Sequence, residues 1–197
     1  MASVTDICNL ALVARLGQKR IAALTEESTE AQLCRDLYPL VRNLTQAEYN
    51  WRFCRTRVLL AELTNDRPDD WDYCYQRPSD CLKLRYLVPQ TGKFDPRSRV
   101  KYENEGDSIY SDEQYARAVY TREITDTTKF SPHFVQALSW HLAHHLCQPL
   151  EKTDSLLSST LAGYRGSLAL AREFDSGEEI FELTADEAAP DWHRGRY

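Results

Sequence analysis

Glycine and proline are scarce in this 197-residue chain, at seven and eight residues. That is about half the usual share and argues against disorder, a collagen-like chain or a loop-rich scaffold. A basic excess is also missing: 24 Lys and Arg stand against 30 Asp and Glu, for a formal net charge of −6. With no compact basic domain, a tight sequence-specific grip on nucleic acid is not expected. No apolar run approaches the ~18 residues of a membrane span. The start, Met1-Ala2-Ser3-Val4-Thr5-Asp6, has neither the basic residues nor the apolar stretch of a secretory signal, so a reducing compartment is expected. The cysteines at 8, 34, 54, 74, 81 and 147 include no C-x-x-C pair, and buried free thiols are expected rather than a disulfide framework. Phosphate-binding glycine loops and the G-x-S-x-G elbow are absent as well.

Hydrophobic residues make up 42% of the chain, enough for one core or one core with an inserted subdomain. Aromatics reach 11%, with eleven Tyr and four Trp, a surplus of the residue types that favour contacts between chains. Ser3 and Asp6 form a capping-box pattern before Val4, Ile7, Cys8, Ala11 and Ala14, and Gly17 sits at the helix end. A second helix is expected from Thr25 or Ser28 through Trp51, kinked at Pro39. Between residues 55 and 125 the period becomes two: Trp71, Tyr73 and Tyr75, then Leu82, Leu84, Tyr86 and Val88, then Val100 and Tyr102, then Val119, Thr121 and Glu123. Helix returns at Ser131-Pro132 and again at Thr153 or Asp154, where Gly163 and Gly166 imply close helix–helix approach.

The expected fold is α+β: a four-helix bundle (1–54 and 131–175) with an antiparallel β-sheet subdomain (55–130) inserted between helices 2 and 3. An extended tail, 176–197, follows. Arg42 and Trp51, nine residues apart, are expected on opposite faces of the second helix, with Trp51 in the core and Arg42 outside it.

His141, His144 and His145 form the one cluster with catalytic residue types. His141 and His145 share a helical face, but the Glu of H-E-x-x-H is replaced by Leu142 and no third ligand is near in sequence. The expectation is packing, with His144 facing water and no catalytic, cofactor or metal site. A metal-dependent hydrolase built on the three histidines is the alternative from another class. The ladder Trp71-Tyr73-Tyr75 beside Arg77 and Arg85 has the residue types of a base-stacking platform, but packing within a sheet is the expected role.

Several segments carry a resemblance. Leu37-Tyr38-Pro39-Leu40-Val41-Arg42 is followed by Trp51-Arg52-Phe53, and later by a W-x-Y-x-Y-x-x-P-x-D-C-L run from Trp71 to Leu82. Phe134-Val135-Gln136-Ala137-Leu138 leads into Leu142-Ala143 and Pro149-Leu150. In content and order these resemble the tail tubular protein A family, the head-to-tail adaptors of short-tailed bacteriophages, over roughly residues 3–175.

The resemblance implies a structural virion protein of the tail and neck, assembled in the host cytoplasm and not an enzyme. It implies a homo-oligomeric ring, usually of twelve subunits, between the portal protein and the nozzle, tail tubular protein B. Genomic DNA would pass through its channel without sequence-specific binding, and no membrane is involved. A neck connector of a long-tailed phage is the neighbouring alternative. The tail matches no part of the resemblance, but Ile180, Phe181, Leu183, Trp192 and Tyr197 are expected as portal anchors, with Glu178, Glu179 and Glu182 facing basic portal side chains.

Overall fold

The computed structural model describes residues 2–90 and 94–177. Helix α1, Val4–Asn9, starts as its capping box requires: Ser3 Oγ accepts from the Asp6 amide at 3.1 Å and Asp6 accepts from the Ser3 amide at 3.0 Å. It continues as a π-helical segment, Leu10–Arg15. Gly17, at φ +62°, then lets the Gln18 amide reach back to the Leu12 carbonyl at 2.8 Å. The linker beyond is held by a side-chain amide. Asn9 accepts from the Ile21 amide and donates to the Ile21 carbonyl, both at 2.9 Å.

Helix α2, Thr29–Glu48, is capped by Ser28 and buries Ala31, Cys34, Tyr38, Val41 and Thr45 along one stripe. It contains Pro39 and ends at Glu48, so the helix expected to reach Trp51 stops short. Beyond it the chain extends, and Arg85 donates to the carbonyls of Ala47 at 2.9 Å and Tyr49 at 2.5 Å. Trp51 folds back, donates to the Thr45 carbonyl at 2.9 Å and packs edge-on against Phe134. It is fully buried, as expected, but from a position off the helix. Arg42 departs from expectation in its burial, at 7% exposed, but meets a carboxylate of its own chain, Glu123, and is also held by Asn43. The opposite-face argument assumed one helix through both residues.

Helix α3, Pro132–Cys147, is capped by Ser131 and packs against α1, α2 and α4, Asp154–Gly177. Close approach holds at Gly163, where an added Cβ would lie 2.7 Å from the Trp140 ring. It does not hold at Gly166, which has nothing within 4 Å.

Seven strands follow α2: β1 Arg55–Leu59, β2 Glu62–Leu63, β3 Tyr73–Gln76, β4 Cys81–Val88, β5 Glu103–Glu105, β6 Ser108–Ser111 and β7 Arg117–Arg122. They form two antiparallel sheets, ordered β1-β7-β4 and β2-β3-β6-β5. The expected four-helix bundle with a single inserted sheet subdomain is therefore incorrect. Over the described residues the chain is α+β with four α-helices and these two sheets.

Alternation identifies strands but not their partners, which is why one sheet was expected. β1 crosses the sequence to pair with β7, Arg55 opposite Thr121 and Leu59 opposite Arg117. β4 joins β7 through two register shifts. β3 pairs instead with β6, which a two-residue turn through Gly106, at φ +56°, ties to β5.

Three contacts fix the helices to the first sheet. Gln46, fully buried, donates to the Ile124 carbonyl at 2.7 Å and accepts from the Ile124 amide at 3.0 Å. Arg42 meets Glu123 just after β7. Arg85, on β4, binds Thr121 Oγ1 at 2.8 Å as well as the carbonyls of Ala47 and, just past α2, Tyr49.

Candidate functional site

The histidines occupy the seam between α2, α3 and α4. Thr45 Oγ1 lies 2.7 Å from the Val41 carbonyl and 2.8 Å from His141 Nδ1. The threonine has one proton and gives it to the carbonyl, so it accepts from His141 Nδ1–H. That fixes the tautomer and leaves His141 Nε2 an acceptor, hydrogen-bonded to His145 Nε2 at 3.3 Å. The other face of His141 lies on the Tyr164 ring, centroids 4.0 Å apart and 15° from parallel.

Burial, with the neighbouring His145 and His144, lowers the His141 pKa to about 4. Burial lowers that of His145 too. His144, expected to face water, is half-buried beside Thr160, its Nδ1 3.4 Å from Oγ1. Among the described residues, no group of three or more His, Cys, Asp and Glu is placed to hold a metal.

A second feature is a groove that the sequence reading missed. A concavity of about 460 Å³ is lined by Arg52, Phe53, Lys129, Phe130, His133, Phe174 and neighbours. Arg57, on the edge strand β1, continues this side and stacks over Phe94 at 3.7 Å. His133 stacks on Phe174 at 3.7 Å, yet Phe174 remains 56% exposed and Leu170, one turn earlier, 54%. The close run of Arg52, Arg55 and Arg57 is the one sequence signal that pointed here.

The aromatic ladder is not an open stacking platform. Tyr75 is 1% exposed and donates to the Glu113 carbonyl at 2.6 Å, while Trp71 donates to Glu103 at 3.1 Å. Arg77 is bound to the Cys81 carbonyl, and Arg85 belongs to the helix–sheet junction. In the acidic stretch from 66 to 72, Asp66 accepts from Tyr110 at 2.9 Å and Arg67 is paired with Glu105. All six cysteines are free and buried, and burial pushes the Cys54 thiol up, away from a reactive thiolate.

The anchors expected at Ile180, Phe181, Leu183, Trp192 and Tyr197 lie outside the described residues, as do Glu178, Glu179 and Glu182. No helix among the described residues is long and apolar enough to cross a membrane. No family model matches the chain. No curated protein matches it either.

Proposed function

We propose that this chain is a structural virion protein, one subunit of a head-to-tail adaptor ring of twelve between the portal and the tail nozzle. The ring forms part of the channel through which the genome leaves. The observation that carries the reading is the exposed apolar surface on the long helices. Leu40 and Leu44 on α2 are 54% and 44% exposed, and Leu170 and Phe174 on α4 are 54% and 56% exposed. Apolar residues in such numbers on helix faces favour burial between chains.

The residues that carry the resemblance support the same reading from inside. Tyr38 is buried in the helical core, Arg42 ties α2 to Glu123 after β7, and Trp51 stacks on Phe53. Asp80, from the second motif, accepts from Tyr120 at 2.9 Å and pairs with Arg122 at 2.7 Å. These are joints of the fold, so a shared motif at them speaks for a shared architecture. The net charge of −6 suits a conduit, since a strongly cationic wall would hold phosphates back.

The test is light scattering and electron microscopy of the full chain, alone and mixed with its portal. Rings on the portal are expected. Leu40→Glu with Phe174→Glu should abolish them while the circular dichroism spectrum stays unchanged. A chain that stays monomeric with the portal overturns the proposal.

A further inference from the structure

We propose that His141 and His145 bind one divalent transition ion of borderline softness, such as Zn²⁺, Ni²⁺ or Cu²⁺. The two Nε2 atoms are the protein ligands and water fills the remaining positions. Three observations carry this independently of the adaptor reading.

The spacing fits. Two N–metal bonds of ~2.05 Å whose ends are 3.3 Å apart subtend about 107°, close to the tetrahedral angle. The side chains leave successive turns of α3, so the helix sets this separation.

The tautomer also fits. Because His141 gives its Nδ1 proton to Thr45, the lone pair that a metal needs already sits on Nε2. A ring proton bound to an oxygen acceptor is the usual outer support of a ligating imidazole, and here Thr45 supplies it from a different helix. Tyr164 holds the same ring in plane from α4. His145 needs only to carry its proton on Nδ1.

Both histidines are partly exposed. The site is open because no third protein ligand joins the pair among the described residues. The third and fourth positions are therefore exchangeable.

The experiment uses the full chain without a histidine tag, stripped with EDTA and dialysed. Titration with ZnCl₂ and with CuSO₄ is followed by calorimetry, and the Cu²⁺ form by electron paramagnetic resonance. One ion per chain is expected, with hyperfine coupling from two imidazole nitrogens. His145→Gln, which leaves the Thr45–His141–Tyr164 stack in place, should weaken binding at least tenfold, while His144→Gln leaves it unchanged. Circular dichroism establishes that each variant is folded. Absence of saturable binding overturns the proposal. So does binding that His145→Gln leaves intact or that His144→Gln removes equally.

Discussion

Replacing Gln46 with Leu isolates the contact that joins helices to sheet. The side chain is fully buried, and its amide satisfies both backbone groups of Ile124, at 2.7 and 3.0 Å. Leucine is one bond shorter but of similar volume and has no hydrogen-bonding atoms, so most of the space stays filled while the Ile124 amide and carbonyl lose their partners. Ile124 is itself only 9% exposed, which leaves little room for water to replace them. Each orphaned group costs ~1–3 kcal/mol, offset in part because the buried amide is gone. The net expectation is a loss of about 2–4 kcal/mol. Urea unfolding followed by fluorescence and circular dichroism should show a lower midpoint at constant slope. Hydrogen exchange at the Ile124 amide should accelerate. A loss below ~0.5 kcal/mol with that amide still protected would refute the reasoning, because the clamp would then contribute little beyond filling space.

The two α4 glycines should respond with opposite signs. Gly163→Ala drives a Cβ to 2.7 Å from Trp140 and should cost ~1–3 kcal/mol, whereas Gly166→Ala meets nothing and should gain ~0.5–1 kcal/mol. Thermal melts of the pair decide it, and shifts of the same sign would contradict the packing. Arg85→Met removes the donors to Ala47, Tyr49 and Thr121 and should destabilise by ~2–4 kcal/mol in urea, mostly through orphaned carbonyls. For His141 the folded pKa of about 4 lies below the unfolded value near 6.5, so the unfolded chain binds more protons between those limits. Its contribution is complete above pH 6.5 and falls away toward pH 4, by ~1–2 kcal/mol after allowance for partial exposure. In EDTA, wild type should lose that much more stability than His141→Gln between pH 7 and 4.5. Equal losses would show that the histidine is not the cause.

Local chemistry was legible in the sequence, and long-range pairing was not. Ser3 with Asp6, Ser28, and Ser131 before Pro132 start their helices as read, because a cap is decided within four residues. The end of α2 is set from outside. Its apolar stripe runs on to Trp51, but Arg85, far along the chain, takes the Ala47 and Tyr49 carbonyls and the backbone extends. The sheets follow the same division. Strand β7 is buried at Ala118, Val119 and Tyr120 in succession because both its faces are covered, Ala118 and Tyr120 in one apolar cluster and Val119 in another, a fact that alternation alone does not carry. Likewise the i, i+4 pairing of His141 and His145 is written in the sequence, but the proton that Thr45 accepts is not.

The groove was hidden for a related reason. Its lining comes from the short turn before β1, the segment entering α3 and the last turns of α4, segments that share no period. Only the helix–sheet junction brings them to one side. That junction is polar and buried: Gln46 on Ile124, Arg42 on Glu123, Arg85 on two carbonyls. Hydrogen-bonded contacts of this kind are directional, unlike an apolar seam, and tolerate little sliding. A heterologous ring needs that property more than a monomer does. In the proposed ring of twelve each interface would turn the chain by about 30°, and an error of a few degrees per subunit would prevent closure. An apolar contact between sheet and helices would allow the edge strand β1 and the exposed face of α4 to shift relative to each other. Directional bonds hold them in one relation, as the proposed closed ring would require.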